Sequence, residues 1–188
     1  MKTAIIIHGM PSKEEYLNPT NPSASHNHWF PWLQRQLILN GVLAQTPEMP
    51  TPYEARYEEW CSVLEQFHIN EDTILVGHSL GGGFLVRWLS ENKTKVGRVV
   101  LVAPWLDPNK ELTTGFFNFS IDPELANRTK GLTVFISDDD DQEELTSSEI
   151  LKNTVPGLNV KEFTGKGHFI LQHMGTNEFP ELRDALLQ

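Results

Sequence analysis

The chain holds a single cysteine, Cys61, among its 188 residues. No internal disulfide can form, so packing alone must hold the fold, and a lone thiol points to a reducing, cytoplasmic setting. Runs of lysine or arginine are missing: 15 basic side chains face 25 acidic ones, for a formal charge of −10. That balance excludes nucleic acid and an anionic membrane surface as partners. No window reaches the ~18 apolar residues of a membrane span. The apolar opening, Ala4 to Ile7, meets His8-Gly9 too early to be a signal-peptide core. Gly-x-Gly-x-x-Gly spacing and a Gly-Lys-Ser/Thr phosphate loop are both lacking, which sets aside a nucleotide- or flavin-binding domain. His26 and His28 have no further ligands at metal spacing, and the acidic run 138–141 lacks the alternation of a calcium loop. Neither a metal nor a cofactor is expected. Internal repeats and linker-like stretches are missing too, so a single domain over 1–188 is expected.

What is present suits a packed globule: 39% apolar residues, with five tryptophans and ten phenylalanines. Strand-like and helix-like segments alternate. Ala4 to Ile7 is a continuous apolar run, as a strand buried on both faces requires. Trp29, Leu33 and Leu37 recur at helical spacing, with Asn27 as a cap, Pro31 in the first turn and Gly41 as terminator. Val42 to Gln45 reads as a second strand. Thr51-Pro52-Tyr53-Glu54 has the form of a capping box, followed by an apolar stripe from Tyr53 to Phe67. Further strands are predicted at 73–78, 99–103, 132–136 and 159–163. Helices are predicted after residue 79, from Asp122 toward Gly131, from the Thr146-Ser147-Ser148-Glu149 box, and around Leu182 and Leu186. This alternation predicts an α/β fold: a doubly wound, mostly parallel sheet of about six strands flanked by helices.

The most informative stretch is Thr73-Ile74-Leu75-Val76-Gly77-His78-Ser79-Leu80-Gly81. Gly-x-Ser-x-Gly arises by chance in about one such chain in twenty. Here it joins a β-branched run to an apolar helical segment, the setting of a nucleophile elbow. A serine on that strained turn lifts its hydroxyl clear of the sheet, and only glycines fit beside it.

Function in an open parallel sheet gathers at the carboxyl ends of the strands. Those ends deliver His8-Gly9-Met10, then Ser79, then Pro104 to Asp107, then Asp138 to Asp141, then Gly165-Lys166-Gly167-His168. Nucleophile, acid and base follow in the order Ser, Asp, His, as in an α/β-hydrolase. Ser79 needs a base to take its proton, and His168 is the candidate, carried on a glycine-rich loop. The imidazole needs a carboxylate to fix its tautomer. The run 138–141 offers one, and Asp107 is an alternative. Backbone N–H groups of Met10 and Leu80 are the candidate oxyanion donors, since Pro11 has no N–H. His8 and His78 flank the site and are expected to shape it. Trp29, Phe30, Trp105, Phe116 and Phe117, with His8, are candidate walls of a substrate pocket, and residues 11–27 a candidate rim.

Six segments together resemble the small lidless serine hydrolases grouped with retinoblastoma-binding protein 9 and YdeN. They are Ile7-His8-Gly9, His28 to Leu33, Met49-Pro50, Gly77 to Gly81, Asp140-Asp141-Gln142 and Gly167-His168-Phe169. The resemblance implies an α/β-hydrolase fold without a lid domain, and Asp141 as the triad acid with Asp140 next. The chain departs from the pattern in a longer 11–27 segment, and in Glu143-Glu144 where apolar residues and a proline usually stand. The reading is a serine hydrolase acting on a small-molecule ester or amide through an acyl-enzyme. The alternative is a protein-binding member of the same fold with vestigial catalysis, although no protein partner is indicated.

Overall fold

The computed structural model describes residues 2–188. Strand β1 (Thr3–Ile7) leads through α1 (Lys13–Leu17) and α2 (Phe30–Leu39) to β2 (Leu43–Gln45). Helix α3 (Tyr57–Leu64), strand β3 (Thr73–His78), helix α4 (Leu80–Asn92) and strand β4 (Val99–Val102) follow. Then come β5 (Leu132–Ser137), α5 (Gln142–Thr154) and β6 (Asn159–Phe163), with α6 (Leu171–Met174) and α7 (Pro180–Leu187) at the end. The six strands form one sheet, every neighbouring pair parallel, in the order β2-β1-β3-β4-β5-β6.

The apolar strand runs divide by parity. Ile5, Ile7, Leu75, Val99, Leu101, Leu132 and Val134 join one core with α3, α4 and Leu151 of α5. Ala4, Ile6, Ile74, Val76, Val100, Val102 and Phe135 join a second core with α2 and α7. Both faces of the sheet are therefore covered, which is why the strands read as unbroken apolar runs. The order reverses between β1 and β3, so the chain leaves these two strands toward opposite sides. That divergence opens a crevice at their carboxyl ends.

Local expectations were corrected at four places. Thr51 takes a left-handed φ of 43° and its side chain caps nothing, so Pro52–Glu54 is one 3-10 turn and α3 begins only at Tyr57. Asp122 turns its carboxylate to Lys93 and Arg128, both at 2.6 Å, and only Ala126–Arg128 closes a 3-10 turn. Helix α5 starts at Gln142, placing Thr146 to Glu149 in its interior; Thr146 bonds back to the Gln142 carbonyl at 2.7 Å. Asn27 does not cap α2, whose N-cap position is Trp29; the Asn27 carboxamide accepts the His28 amide instead. Within the candidate rim, residues 11–27, Ser12 and Glu15 form a reciprocal capping box that starts α1.

Helix α4 is buried from Leu80 to Ser90. Its one charged buried side chain, Arg87, lies 3.5 Å above the Tyr57 ring and donates to the carbonyls of Gly115 and Phe116. It thereby moors the long β4–β5 connection. The start of α4 sits so close to the sheet that a Cβ at Gly81 would strike the carbonyl oxygens of Ile7 and His8. Both obstacles are backbone and cannot yield. Gly81→Ala is therefore expected to destabilise the protein by about 3 kcal/mol. Thermal unfolding should show Tm lower by about 6–12 °C.

Candidate active site

Ser79 stands between β3 and α4 with φ 53° and ψ −122°, a conformation that L residues rarely hold. Its backbone is over-determined: the amide donates to Val102, and the carbonyl accepts the amides of Gly82, Gly83 and Trp105. A Cβ at Gly77 would lie 2.5 Å from the Gly81 carbonyl, so the turn closes only around glycine. The Met10 and Leu80 amides donate to no group among the described residues. They lie at the two loops that part at the crevice.

A cavity of about 730 Å³ opens there, bordered by Ser79, His168, Met10, His8, His28 and His78, and by much of residues 11–27. No hydrogen bond joins the Ser79 hydroxyl to the imidazole; both side chains border this cavity. The His168 ring donates from Nδ1 to Asp140 Oδ1 at 3.0 Å, which leaves Nε2 as the unprotonated nitrogen. Asp140 has only 2% of its side chain exposed. Burial pulls His168 down, but the Asp140 hydrogen bond and charge, with Glu144 and Asp141, outweigh it and leave its pKa raised.

The aspartate on the imidazole is thus Asp140, one residue before the expected Asp141. Asp141 is exposed at the N-cap of α5, and no hydrogen bond joins its carboxylate to the imidazole. Its amide donates to Asp140 Oδ1 at 2.9 Å, steadying that carboxylate. The other two acids, though exposed, act as staples. Asp138 accepts the Gly165 amide, and Asp139 accepts the Gly167 amide and the Ser137 hydroxyl. Asp107 binds its own loop through the amides of Glu111 and Leu112 and stands apart from the imidazole.

The loop bearing His168 is also held from the opposite face. His78 Nε2 donates to the His168 carbonyl at 2.8 Å, and Trp29 Nε1 to the Phe169 carbonyl at 3.0 Å. His173 accepts the His168 amide at 2.9 Å. His8 accepts the Met49 amide on Nε2 and donates from Nδ1 to Gly9, so its tautomer is set and it clamps the first loop. Burial holds His8 and His78 below the ordinary imidazole pKa.

Of the predicted pocket walls, His8 and Phe30 border the cavity. Trp29 is fully buried against Phe30 and His78. Trp105, Phe116 and Phe117 pack on the α4 side of the sheet, and Trp105 is pinned by Glu143 at 2.6 Å. The sequence offered these four as apolar surface, and the core took them. The other cavity walls come from Glu15, Tyr16, Glu48 and Ile170, among others. The missed residues carry one local signal, the Ser12-x-x-Glu15 box. Glu48 and His173 carry none.

Glu144 occupies the position where the sequence departs from its resemblance. Donor atoms of Asp140, Glu144 and His168 lie within 4.8 Å of one another. With Nδ1 already committed to Asp140, the trio is an imidazole between two carboxyl groups rather than an open metal centre.

An open parallel sheet, a strained serine after the third strand and a histidine beyond the last define an α/β-hydrolase. The serine hydrolase family model matches residues 17–188, and the chain belongs to that family. It is 31% identical over 185 residues to YdeN of Bacillus subtilis (strain 168), named as a hydrolase, covering 93% of this chain and 95% of that one. The solved structure of the Bacillus subtilis ydeN product superposes with TM-score 0.81 at 28% identity, over 99% of this chain and 97% of that one. Serine hydrolase RBBP9 of Rattus norvegicus is 29% identical over 100 residues, half of this chain and 52% of its own. Est1E of Butyrivibrio proteoclasticus shares the fold, with TM-score 0.64 at 15% identity over 99% of this chain and 85% of its own.

Burial raises the Glu144 pKa to about 7; the Asp140 and Asp141 charges add to this and the His168 charge opposes it. The folded state therefore binds this proton more tightly than the unfolded chain. Stability from this group is full below the unfolded value near pH 4 and is lost as pH rises through about 7. Glu144→Gln removes that dependence. Relative to the parent, its Tm should rise by about 2–4 °C between pH 5 and pH 8, on the order of 1 kcal/mol after solvent screening. Scanning calorimetry at the two pH values checks the sign.

Proposed function

We propose that the chain hydrolyses small carboxylic esters or amides through Ser79, His168 and Asp140. The observation that carries this reading is the 3.0 Å bond from His168 Nδ1 to the nearly fully buried Asp140 carboxylate, beside a cavity that Ser79 also borders. That bond sets the tautomer a general base needs. In the proposed cycle Ser79 Oγ attacks the substrate carbonyl while His168 Nε2 takes its proton. Hydrogen bonds between nucleophile and base often close only once substrate is bound. The Met10 and Leu80 amides, free of internal acceptors, would hold the oxyanion. Collapse expels the alcohol or amine, which leaves with the proton from His168. Water, deprotonated by the same imidazole, then attacks the acyl-serine and frees the acid and Ser79.

The lone, half-buried Cys61 and the acidic balance support a cytoplasmic enzyme acting as one domain over 1–188. No helix of the described residues is long and apolar enough to cross a membrane.

A fluorophosphonate probe should label Ser79, and peptide mapping of the folded protein reads the adduct. His168→Ala should abolish labelling; an unlabelled Ser79 in the folded parent would support the protein-binding alternative instead. Asp140→Asn should lower kcat about 10³–10⁴-fold, because the imidazole tautomer is lost, whereas Asp141→Asn should stay within about threefold. Equal losses in the two variants would refute the assignment of Asp140.

The base must be neutral to accept the Ser79 proton, and its pKa is raised by the facing carboxylates. The acid limb of kcat/KM should therefore lie above pH 6.5, the ordinary histidine value. A profile already flat at pH 6 would contradict this.

A further inference from the structure

Apart from the His168 imidazole, the charged side chains bordering the cavity beside Ser79 are all of one sign. Glu15 and Glu48 border it, and no lysine or arginine does. Its remaining ionisable walls are Tyr16 and the histidines at 8, 28, 78 and 168. Burial keeps His8 and His78 below the ordinary imidazole pKa, and brings His28 to about 4, with the His168 charge adding to the effect. They are neutral at pH 7. Tyr16 is held above its ordinary value by burial first and then by the Glu48 charge, so it remains a neutral phenol.

Both carboxylates are fixed in place without being neutralised. Glu48 accepts the amides of Ala24 at 3.3 Å and Ser25 at 2.8 Å, tying residues 11–27 to the end of the β2 loop. Glu15 accepts the Ser12 amide at 2.9 Å within the capping box. Neither has a salt-bridge partner among the described residues. Lys13, on the same helix as Glu15, sends its ammonium over the Tyr53 ring at 5.5 Å and does not border the cavity.

We infer that the site selects esters or amides whose acyl or leaving portion carries a positive charge, a protonated amine or a quaternary ammonium. This rests on the hydrolase reading above and narrows its substrate class. A cation lodged at the Glu15–Tyr16–Glu48 wall meets two carboxylates whose hydrogen bonds leave their charge intact, and the face of a phenol ring. A carboxylate there meets like charge and no basic side chain. The net charge of −10 acts in the same sense at longer range.

The test uses three fluorophosphonates of equal length, ending in trimethylammonium, tert-butyl or carboxylate, and reads the second-order rate of Ser79 labelling. The expected order is cation, neutral, anion. About tenfold should separate each step, the size of a screened charge pair, and the steps should shrink in 0.5 M salt. Glu48→Gln and, separately, Glu15→Gln should each cut the cation-to-neutral ratio about threefold. Because Glu48 also anchors residues 11–27, Glu15→Gln serves as the check free of that anchor. Equal rates for the charged and neutral probes overturn the inference while leaving the hydrolase reading intact. So does a ratio unchanged in both variants. Failure of all three probes to label folded protein overturns the hydrolase reading and this inference with it.

Discussion

The orientation of one imidazole is the constraint around which the site is organised. His168 lies on a loop beyond the edge strand β6, where no ladder of sheet hydrogen bonds can define the backbone. Buried or half-buried amides and carbonyls in such a loop must find other partners. Here side chains supply them. Asp138, Asp139 and Ser137 accept the amides of Gly165, Gly167 and Lys166, His173 accepts that of His168, and His78 and Trp29 donate to the carbonyls of His168 and Phe169. The loop can then hold Gly167 and Phe169 at positive φ, 48° and 54°. Its strain is offset by contacts from β5, β3 and the start of α2 together. His78, beside the serine in sequence, thus grips the residue that carries the imidazole.

The sheet order explains why these parts meet. Strands β1 and β3 are neighbours whose connections diverge, so Met10 and Ser79 end at the two lips of one crevice. The serine's φ of 53° survives because Gly77 and Gly81 let α4 approach the sheet more closely than any side chain would allow. Such strain concentrates at functional sites where the surroundings over-determine it. Glu144 follows the same pattern in electrostatic form. A half-buried carboxyl beside Asp140 is unfavourable for stability above neutral pH, yet its charge lifts the basicity of His168. Stability given up beside an active centre is a common accompaniment of activity.

Similarity to YdeN extends over nearly the whole chain and places it among serine hydrolases. The features that individualise the cavity lie where resemblance is weakest. Residues 11–27 fold over it through α1, and Glu48 ties them down. Glu143 pins Trp105, and the charge of Glu144 acts on the imidazole. A chain can therefore keep the family's fold and still present an acidic wall of its own.

All six strands and the helices α2, α4 and α7 were legible in the residues, because parity and helical spacing are local properties that burial on both faces merely reinforces. So was Ser79, whose glycines answer to a steric demand within five residues, and so was the loop of His168. The choice between Asp140 and Asp141 was not. Successive side chains in a turn point to different sides, and which one faces inward depends on backbone angles that only the docking of β5, β6 and α5 decides. Trp29, Trp105, Phe116 and Phe117 were misplaced for the same kind of reason: an aromatic ring fills a core or lines a cavity equally well by composition. Sequence by itself determined the elements and the candidate serine and histidine, since those follow from short-range sterics and periodicity. Tertiary structure alone decided which carboxylate meets the imidazole and which walls meet the cavity, since those depend on the packing of separate segments, 28 residues apart for Asp140 and His168 and more for the walls.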